Sequence, residues 1–490
     1  MRDDMRVTLV SNRGPVSFVR SDHGFEVTRG AGGLSGAVDP VCRRLGDRAL
    51  WICAATNDDD RAALRSGKPD ELTELLGYPV RMIDIDAETY TRYYDEVSNR
   101  MLWFANHCLW DEIGLPEFPP TGAFGDAYDP TNEMFATVAA DATEEDAVVL
   151  FQDYHLATAP RHLRRRHPNQ TSLHFTHSSF CGPDGMSHIP KPVADRVIDG
   201  MLGADLVGFH VDAWCRGFLA CCRELGAQVD PREGWVEHEG HRSWVRSYPI
   251  PVDPTELIER AKSPAVQGWE ERLRDAVGDR RVIARADRME PSKNIVRGFE
   301  AFGAMLERHP ELASSTCFIA CIYPSRQSME EYQRYSDAVE KAAARIEKLH
   351  PGTVMLFTED NFDRTLAAYR IYDVLLVNPL MDGMNLVAKE GPLLNDNDGT
   401  LVLSTGAGAF QELGELAHAI DPMDVPGTAD AIHSALTMPS DERSERARAL
   451  HETVSSRTPA DWIEPQLEDL GALHEGGVPL TPPPHVERGR

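Results

Sequence analysis

Three stretches of this chain place residues able to bind anions or sugars between a strand pattern and a helix pattern. Asp287-Arg288-Met289-Glu290-Pro291-Ser292-Lys293-Asn294 carries two cations in one loop ahead of a helix. Such a loop suits a diphosphate, because forked donors, a point charge and the helix dipole all favour anionic oxygen. In Asn378 through Glu390, Asp382-Gly383 suits a tight turn and Asn385 suits a helix cap. The first free N–H groups of that helix, at Leu386 and Val387, are then open to a ligand. Glu390 comes one turn later, where a carboxylate can accept from two adjacent ribose hydroxyls. The third stretch pairs Ser11-Asn12-Arg13-Gly14-Pro15 with Arg29-Gly-Ala-Gly32-Gly33-Leu34-Ser35-Gly36. Glycine turns let backbone N–H groups approach phosphate, and Arg13 supplies a forked contact.

Other residues are less specific. Asp153, His155 and His177 follow apolar runs, where a histidine equally suits a hydrogen-bonded core position. Tyr93-Tyr94 with Trp103 reads either as core or as an aromatic wall for a sugar ring. Arg326 follows another apolar run. No metal-ligand spacing is present, and neither a metal nor a cofactor is called for. The 9 cysteines are odd in number and form no C-x-x-C pair, which predicts reduced thiols rather than a disulfide framework or a zinc site.

The elements that must position these residues alternate between short apolar runs and amphipathic helices, the pattern of parallel α/β sheets. The runs are Arg6–Val10, Ala147–Phe151, Thr171–Phe175 and Asp205–Phe209 in the first half. In the second they are Arg281–Ala286, Cys317–Ile322, Thr353–Phe357, Val374–Val377 and Thr400–Ser404. One helix gathers Ile295, Val296, Phe299, Phe302, Met305 and Leu306 on one face, and helical patterns fill 327–350 and 440–455. Ligands of such sheets bind at the carboxyl ends of the strands, where Arg13, Asp153, His177, Arg288, Lys293, Arg326 and Asp382 all fall. The two series predict two doubly wound domains that meet near Tyr248-Pro-Ile-Pro-Val-Asp-Pro254 and share a cleft.

Charge narrows the partners. Lys plus Arg is 50 and Asp plus Glu is 78, so the net charge is 50 − 78 = −28. Nucleic acid and anionic membrane would be repelled at long range. No apolar run reaches the ~18 residues of a membrane span, and Met1-Arg-Asp-Asp-Met5 lacks a signal-peptide core, so a cytoplasmic protein is expected. The oligomeric state, a homo-oligomer included, stays open.

Taken together, Ser11-Asn12-Arg13, Ala31-Gly32-Gly33-Leu34, Tyr93-Tyr94 with Ser98-Asn99 and Leu102-Trp103, Asp153-Tyr154-His155-Leu156, and Asp382-Gly383-Met384-Asn385-Leu386-Val387-Ala388-Lys389-Glu390 closely resemble the trehalose-6-phosphate synthases. These are retaining glycosyltransferases of GT-B architecture, in glycosyltransferase family 20. The resemblance runs from about Arg6 to about Asp469. It implies an acceptor domain over 1–250, a nucleotide-sugar domain over 251–456 and a helix over 457–475 crossing back to the first domain, while Pro482-Pro-Pro484 and the polar residues after Gly476 read as a flexible tail over 476–490. It implies metal-independent transfer of glucose from a nucleotide diphosphate glucose to glucose 6-phosphate, by a front-face reaction in which the leaving phosphate takes the acceptor proton. By resemblance, Arg288 and Lys293 hold the donor diphosphate, with backbone help from Gly33, Leu386 and Val387. Glu390 holds the ribose. Asp382, Gly383, Met384, Asn385 and His177 surround the donor glucose, and Asp153 orients the acceptor. Arg13, Tyr94 and Arg326 bind the acceptor phosphate, walled by Trp103.

The chain departs from the family pattern at three places. His177-Ser178-Ser179-Phe180-Cys181 replaces the usual His-Ile-Pro-Phe-Pro, and Arg288-Met-Glu-Pro-Ser-Lys293-Asn294 replaces Arg-Leu-Asp-Tyr-Ser-Lys-Gly. The latter looks like the pseudo-glycosyltransferases of validamycin synthesis, which use a GDP-linked donor. Asn361 stands where a histidine is frequent near the base, and its amide can both donate to and accept from a purine edge. GDP-glucose is therefore expected over UDP-glucose. The alternatives are coupling of a GDP-cyclitol to an amino-cyclitol phosphate, and an inactive sugar-phosphate sensor on the same fold.

Overall fold

A computed structural model describes residues 5–485, apart from 23, 30–32, 111–121, 145 and 328. The chain divides into two compact units, Met1–Ile250 with Pro459–Arg490, and Pro251–Thr458.

The amino-terminal unit is built on a nine-stranded sheet. Its order is Val80–Ile83, Ala49–Ala54, Val7–Val10, Val148–Gln152, Ser172–Phe175, Leu206–Phe209, His241–Ser247, Trp235–His238, Gln228–Asp230. The first seven strands are parallel. Short runs such as VTLV and VVLFQ are buried throughout, as strands covered by helices on both faces must be. The last two strands pair antiparallel, and so depart from the parallel pattern of the rest of the sheet. Val7–Val10 lies between Ala49–Ala54 and Val148–Gln152, so the connections leave in opposite directions on either side of it. That reversal opens a crevice at the carboxyl ends of Val7–Val10 and Val148–Gln152, where Arg13 and Asp153 follow.

The carboxy-terminal unit repeats this plan with six parallel strands, in the order Val354–Phe357, Thr316–Tyr323, Arg281–Arg288, Val374–Val377, Thr400–Ser404, His418–Ile420. The reversal lies between Arg281–Arg288 and Val374–Val377. The loops after these two strands carry Arg288, Lys293 and the Asp382–Glu390 string. The helix Ile295–Arg308 buries Ile295, Phe299, Phe302, Met305 and Leu306, with Phe299 and Phe302 each 5.1 Å from Phe318, ring to ring. Helices also form at Glu330–Leu349 and Ser440–Ser455.

Two expectations are corrected. Cys108 and Cys181 form a disulfide, with Cα atoms 6.2 Å apart, while the other seven cysteines are free and buried. The turn after the helix Trp103–Asn106 meets the loop after His177, a proximity that a separation of 73 residues conceals. The residues after Gly476 do not hang free as far as His485. The Asp469 carboxylate, on the helix Ala460–His474, accepts from Leu480 N (2.5 Å), Thr481 N (2.9 Å) and Tyr248 Oη (2.5 Å). Arg246 Nε donates to Thr481 O (2.8 Å), and His485 N donates to Asp212 (3.0 Å).

Asp469 is fully buried, so its removal strands three donors. Asp469→Ala is expected to lower unfolding free energy by about 2–4 kcal/mol, read from urea denaturation. An unchanged midpoint would contradict the docking of the tail.

Candidate active site

In the amino-terminal unit the site grows around Asp153. This residue ends the strand Val148–Gln152 with φ 73°, a left-handed backbone that a non-glycine residue adopts only when its surroundings hold it there. Its Oδ1 accepts from Tyr154 N (3.0 Å) and His177 N (3.1 Å), and its Oδ2 lies 3.6 Å from His155 Nδ1. Burial pushes the carboxyl pKa up, but His155, His177 and the Tyr154 N–H outweigh it and hold it well below the usual range. His177 is bonded through Nε2 to Gln152 Oε1 (2.9 Å), and burial lowers its pKa despite the attraction of Asp153. Burial also takes His174, whose ring bonds to the Asp153 carbonyl (3.2 Å), down to about 4. Trp462, on the last helix, packs 5.6 Å from the His177 ring.

Arg13 is exposed and donates to Tyr94 Oη at 3.4 Å. Tyr94 is stacked between Tyr90 (5.5 Å, 14°) and His155 (5.5 Å, 13°), so the phenol is fixed by rings on both faces. Tyr94 sits on a π-helical stretch, Arg92–Leu102, whose wide turn is supported by Ser98 Oγ donating to Tyr93 O (2.9 Å). Trp103 follows directly, buried, 5.9 Å from Tyr154 and 3.8 Å from His107. Arg13, Tyr94, Trp103, Asp153 and His177 are thus linked through Tyr154 and His155 into one cluster. Gly33 opens the helix Gly33–Leu45, whereas Ala31 and Gly32 lie outside the described residues.

In the carboxy-terminal unit Arg288 is the last residue of its strand, and Lys293 closes a 3₁₀ turn, Pro291–Lys293. Lys293 Nζ reaches Asp382 Oδ2 at 2.5 Å across the reversal point. Burial works against the ammonium, but Asp382 prevails, and Lys293 is raised above its ordinary pKa and stays charged. Asn385, with φ 70°, donates to Asp382 Oδ2 (3.0 Å) and, one residue before the N-cap Leu386, accepts from Ala388 N (3.3 Å) in the first turn of the helix Val387–Leu394. The backbone of Asp382, Gly383 and Met384 lies against 406–409. Asp382 N donates to Gly406 O (3.0 Å), and Ala409 N donates to Met384 O (2.7 Å). A side chain at Gly408 would meet Gly383 O at 2.0 Å, so this approach requires glycine. Leu386 is the N-cap residue and Val387 the first of the helix. Glu390 is one turn in, accepts from Tyr369 Oη (3.2 Å), and is pushed by burial up to about 7.

Glu290 is fully buried beside Arg288 (3.1 Å) and Arg326 (3.7 Å). Burial raises its pKa, but Arg288, Arg326 and Lys293 together bring it to about 2. Arg326 also donates to Tyr332 Oη (2.6 Å). Asn361 is spent differently from expectation. Its Oδ1 caps the helix Phe362–Ile371 by accepting from Arg364 N (2.9 Å), so one of its two lone pairs is already used. Among the described residues the trio Asp199, His238 and Glu239 could hold a metal ion. Asp199 there is already paired with Arg161 (2.9 Å) and Arg196 (3.4 Å), which would repel a cation.

The model of glycosyltransferase family 20 matches residues 5–472. The chain belongs to glycosyltransferase family 20. It is 32% identical to the trehalose-6-phosphate synthase of Mycolicibacterium smegmatis, across 98% of this chain and 96% of that one. It is 30% identical to the validamine 7-phosphate valienyltransferase of Streptomyces hygroscopicus subsp. jinggangensis, across 86% of each. A trehalose-phosphate synthase from Burkholderia xenovorans, solved with glucose-6-phosphate, superposes with TM-score 0.81 at 25% identity, covering 95% of this chain and 100% of that one. The E. coli structure bound to UDP-2-fluoro glucose also gives 0.81 at 25%, covering 95% and 98%. The two doubly wound units are the GT-B architecture of this family.

Several residues of these two clusters carry little signal in the sequence. Gln152 orients His177, and Arg285, buried in its strand, bonds Asp287 (2.7 Å) and Lys293 O (3.1 Å). Arg285 could have been found, since a charge inside an apolar strand needs a partner. Thr405-Gly406-Ala407-Gly408 could have been found as a glycine-rich turn after a strand.

The position of Glu390 carries a stability signature. A carboxyl raised in the folded chain favours the protonated form, so its contribution is present below the unfolded pKa and lost as pH rises toward about 7. At pH 8 Glu390→Gln is expected to be more stable than the parent by about 1–3 kcal/mol in urea unfolding, with the gap closing near about pH 4–5. A less stable variant at pH 8 would contradict the burial of this charge.

Proposed function

We propose that the protein transfers glucose, with retention, from a nucleotide diphosphate glucose to glucose 6-phosphate, giving trehalose 6-phosphate. The observation that carries this reading is the pairing of Lys293 with Asp382 at the reversal point of the second sheet, with Arg288 in the same loop. Charge develops on the diphosphate as the glucosyl carbon departs, and cations already in place stabilise it without reorganising. Arg288 and Lys293 take that role, and Gly33, Leu386 and Val387 offer backbone N–H groups. Asp382, Gly383, Met384, Asn385 and His177 surround the glucose, and Glu390 accepts from the ribose. Arg13, Tyr94 and Arg326 take the acceptor phosphate beside Trp103, and Asp153 orients the reacting hydroxyl. The phosphate is remote from that hydroxyl, so its binding energy goes into positioning. As the anomeric carbon–oxygen bond breaks, the released diphosphate oxygen accepts the hydroxyl proton, and the new bond forms on the same face.

The donor base is assigned to guanine, on the strength of the Pro291-Ser292-Lys293-Asn294 loop. Asn361 offers its amide N–H and the second lone pair of an oxygen that also caps a helix.

Rates across donor and acceptor, with the product identified by mass and NMR, test each level. Release of nucleotide diphosphate and formation of trehalose 6-phosphate are expected, and no release with any donor contradicts the transfer. The Arg288→Ala/Lys293→Ala double variant is expected to lose at least about 10³-fold in kcat/KM. Arg13→Ala is expected chiefly to raise KM for glucose 6-phosphate. A kcat/KM favouring UDP-glucose over GDP-glucose overturns the base assignment alone.

A further inference from the structure

Two arginines of the carboxy-terminal unit converge on one carboxylate. Glu290 has a side chain 0% exposed, with Oε1 accepting from Ser325 Oγ (2.8 Å) and lying 3.1 Å from Arg288 Nη1 and 3.7 Å from Arg326 Nη1. The Arg288 side chain is 40% exposed and that of Arg326 12%, so one buried carboxylate anchors a partly exposed arginine and a largely buried one. Arg326 has φ 45°, a left-handed backbone unfavourable for arginine, and is tied down further by Tyr332 Oη. A buried ion cluster adds little net stability over apolar packing of similar volume. Its effect is on direction. A long guanidinium side chain has many rotamers, and a fixed carboxylate selects among them.

We propose that Glu290 is a positioning residue that aims Arg288 and Arg326 jointly, so that engagement of the donor diphosphate and of the acceptor phosphate depends on one buried carboxylate. This rests on the transfer reading above. Ser325 fixes the carboxylate in turn, because its hydroxyl bonds the same oxygen that meets both arginines.

The test uses the full chain with nucleotide diphosphate glucose and glucose 6-phosphate, varied independently, alongside thermal melts. Glu290→Gln is expected to raise KM for both substrates by roughly 10–100-fold, as loss of a buried charge partner does. Glu290→Asp, which keeps the charge, is expected to restore part of each. Arg326→Ala is expected to raise the acceptor KM less in the Glu290→Gln background than in the parent, because the two changes remove one arrangement. Unchanged kinetics in a folded Glu290→Gln protein overturn the proposal, as does an effect confined to one of the two substrates. Should that variant not fold, Ser325→Ala carries the test, with a several-fold rise in both KM values expected and unchanged values overturning it. A parent protein that turns over no nucleotide sugar refutes instead the transfer reading.

Discussion

The carboxy-terminal site depends on keeping positive charge in place where water is scarce. An isolated buried cation would lose its proton or turn outward, because desolvation disfavours the charged form. Here each one has a carboxylate assigned to it. Lys293 has Asp382, Arg285 has Asp287, and Arg288 and Arg326 share Glu290. Asp287 and Glu290 are neighbours in one strand and its loop, and the reversal in strand order brings Asp382 to them from the loop after Val374–Val377. The fold and the site are thus one constraint seen at two scales: the sheet must reverse for the charges to meet, and the charges fix the loops at the reversal.

The amino-terminal unit solves the opposite problem. It keeps the Asp153 carboxylate ionised with His155 beside it, while burial lowers the pKa of the neighbouring His174 and His177. Backbone N–H donors at Tyr154 and His177 do much of this, and the left-handed φ of Asp153 is the local cost. The aromatic stack of Tyr90, Tyr94, His155 and Tyr154 makes the neighbouring surface rigid. Rigidity is what a sugar-binding wall and a phosphate-binding arginine both require.

Much of this is legible in the sequence. Alternating apolar runs gave the parallel strands, since a strand buried on both faces has no polar positions to spare. The Asn385 bond to the first helical turn and the cationic loop at 288–293 could be read because caps and helix N-termini are local chemistry. What escaped was set by distant partners. Arg285 reads as an interruption of a strand until Asp287 and Gly298 are seen to make room for it, a side chain at Gly298 falling 2.2 Å from its Nη1. The disulfide joins residues 73 apart, and the terminal segment is ordered by Asp469 rather than by any pattern of its own. Asn361 illustrates the converse: its residue type suggested base recognition, while its position at a helix start committed one lone pair of its amide oxygen to capping.

The most direct measurement is a crystal structure of the protein soaked with guanosine or uridine diphosphate. The account requires the pyrophosphate oxygens to lie within about 3 Å of both the Arg288 guanidinium and the Lys293 ammonium, with the ribose against Glu390. A bound nucleotide whose pyrophosphate is held elsewhere, with both cations turned away from it, would contradict the account at its centre.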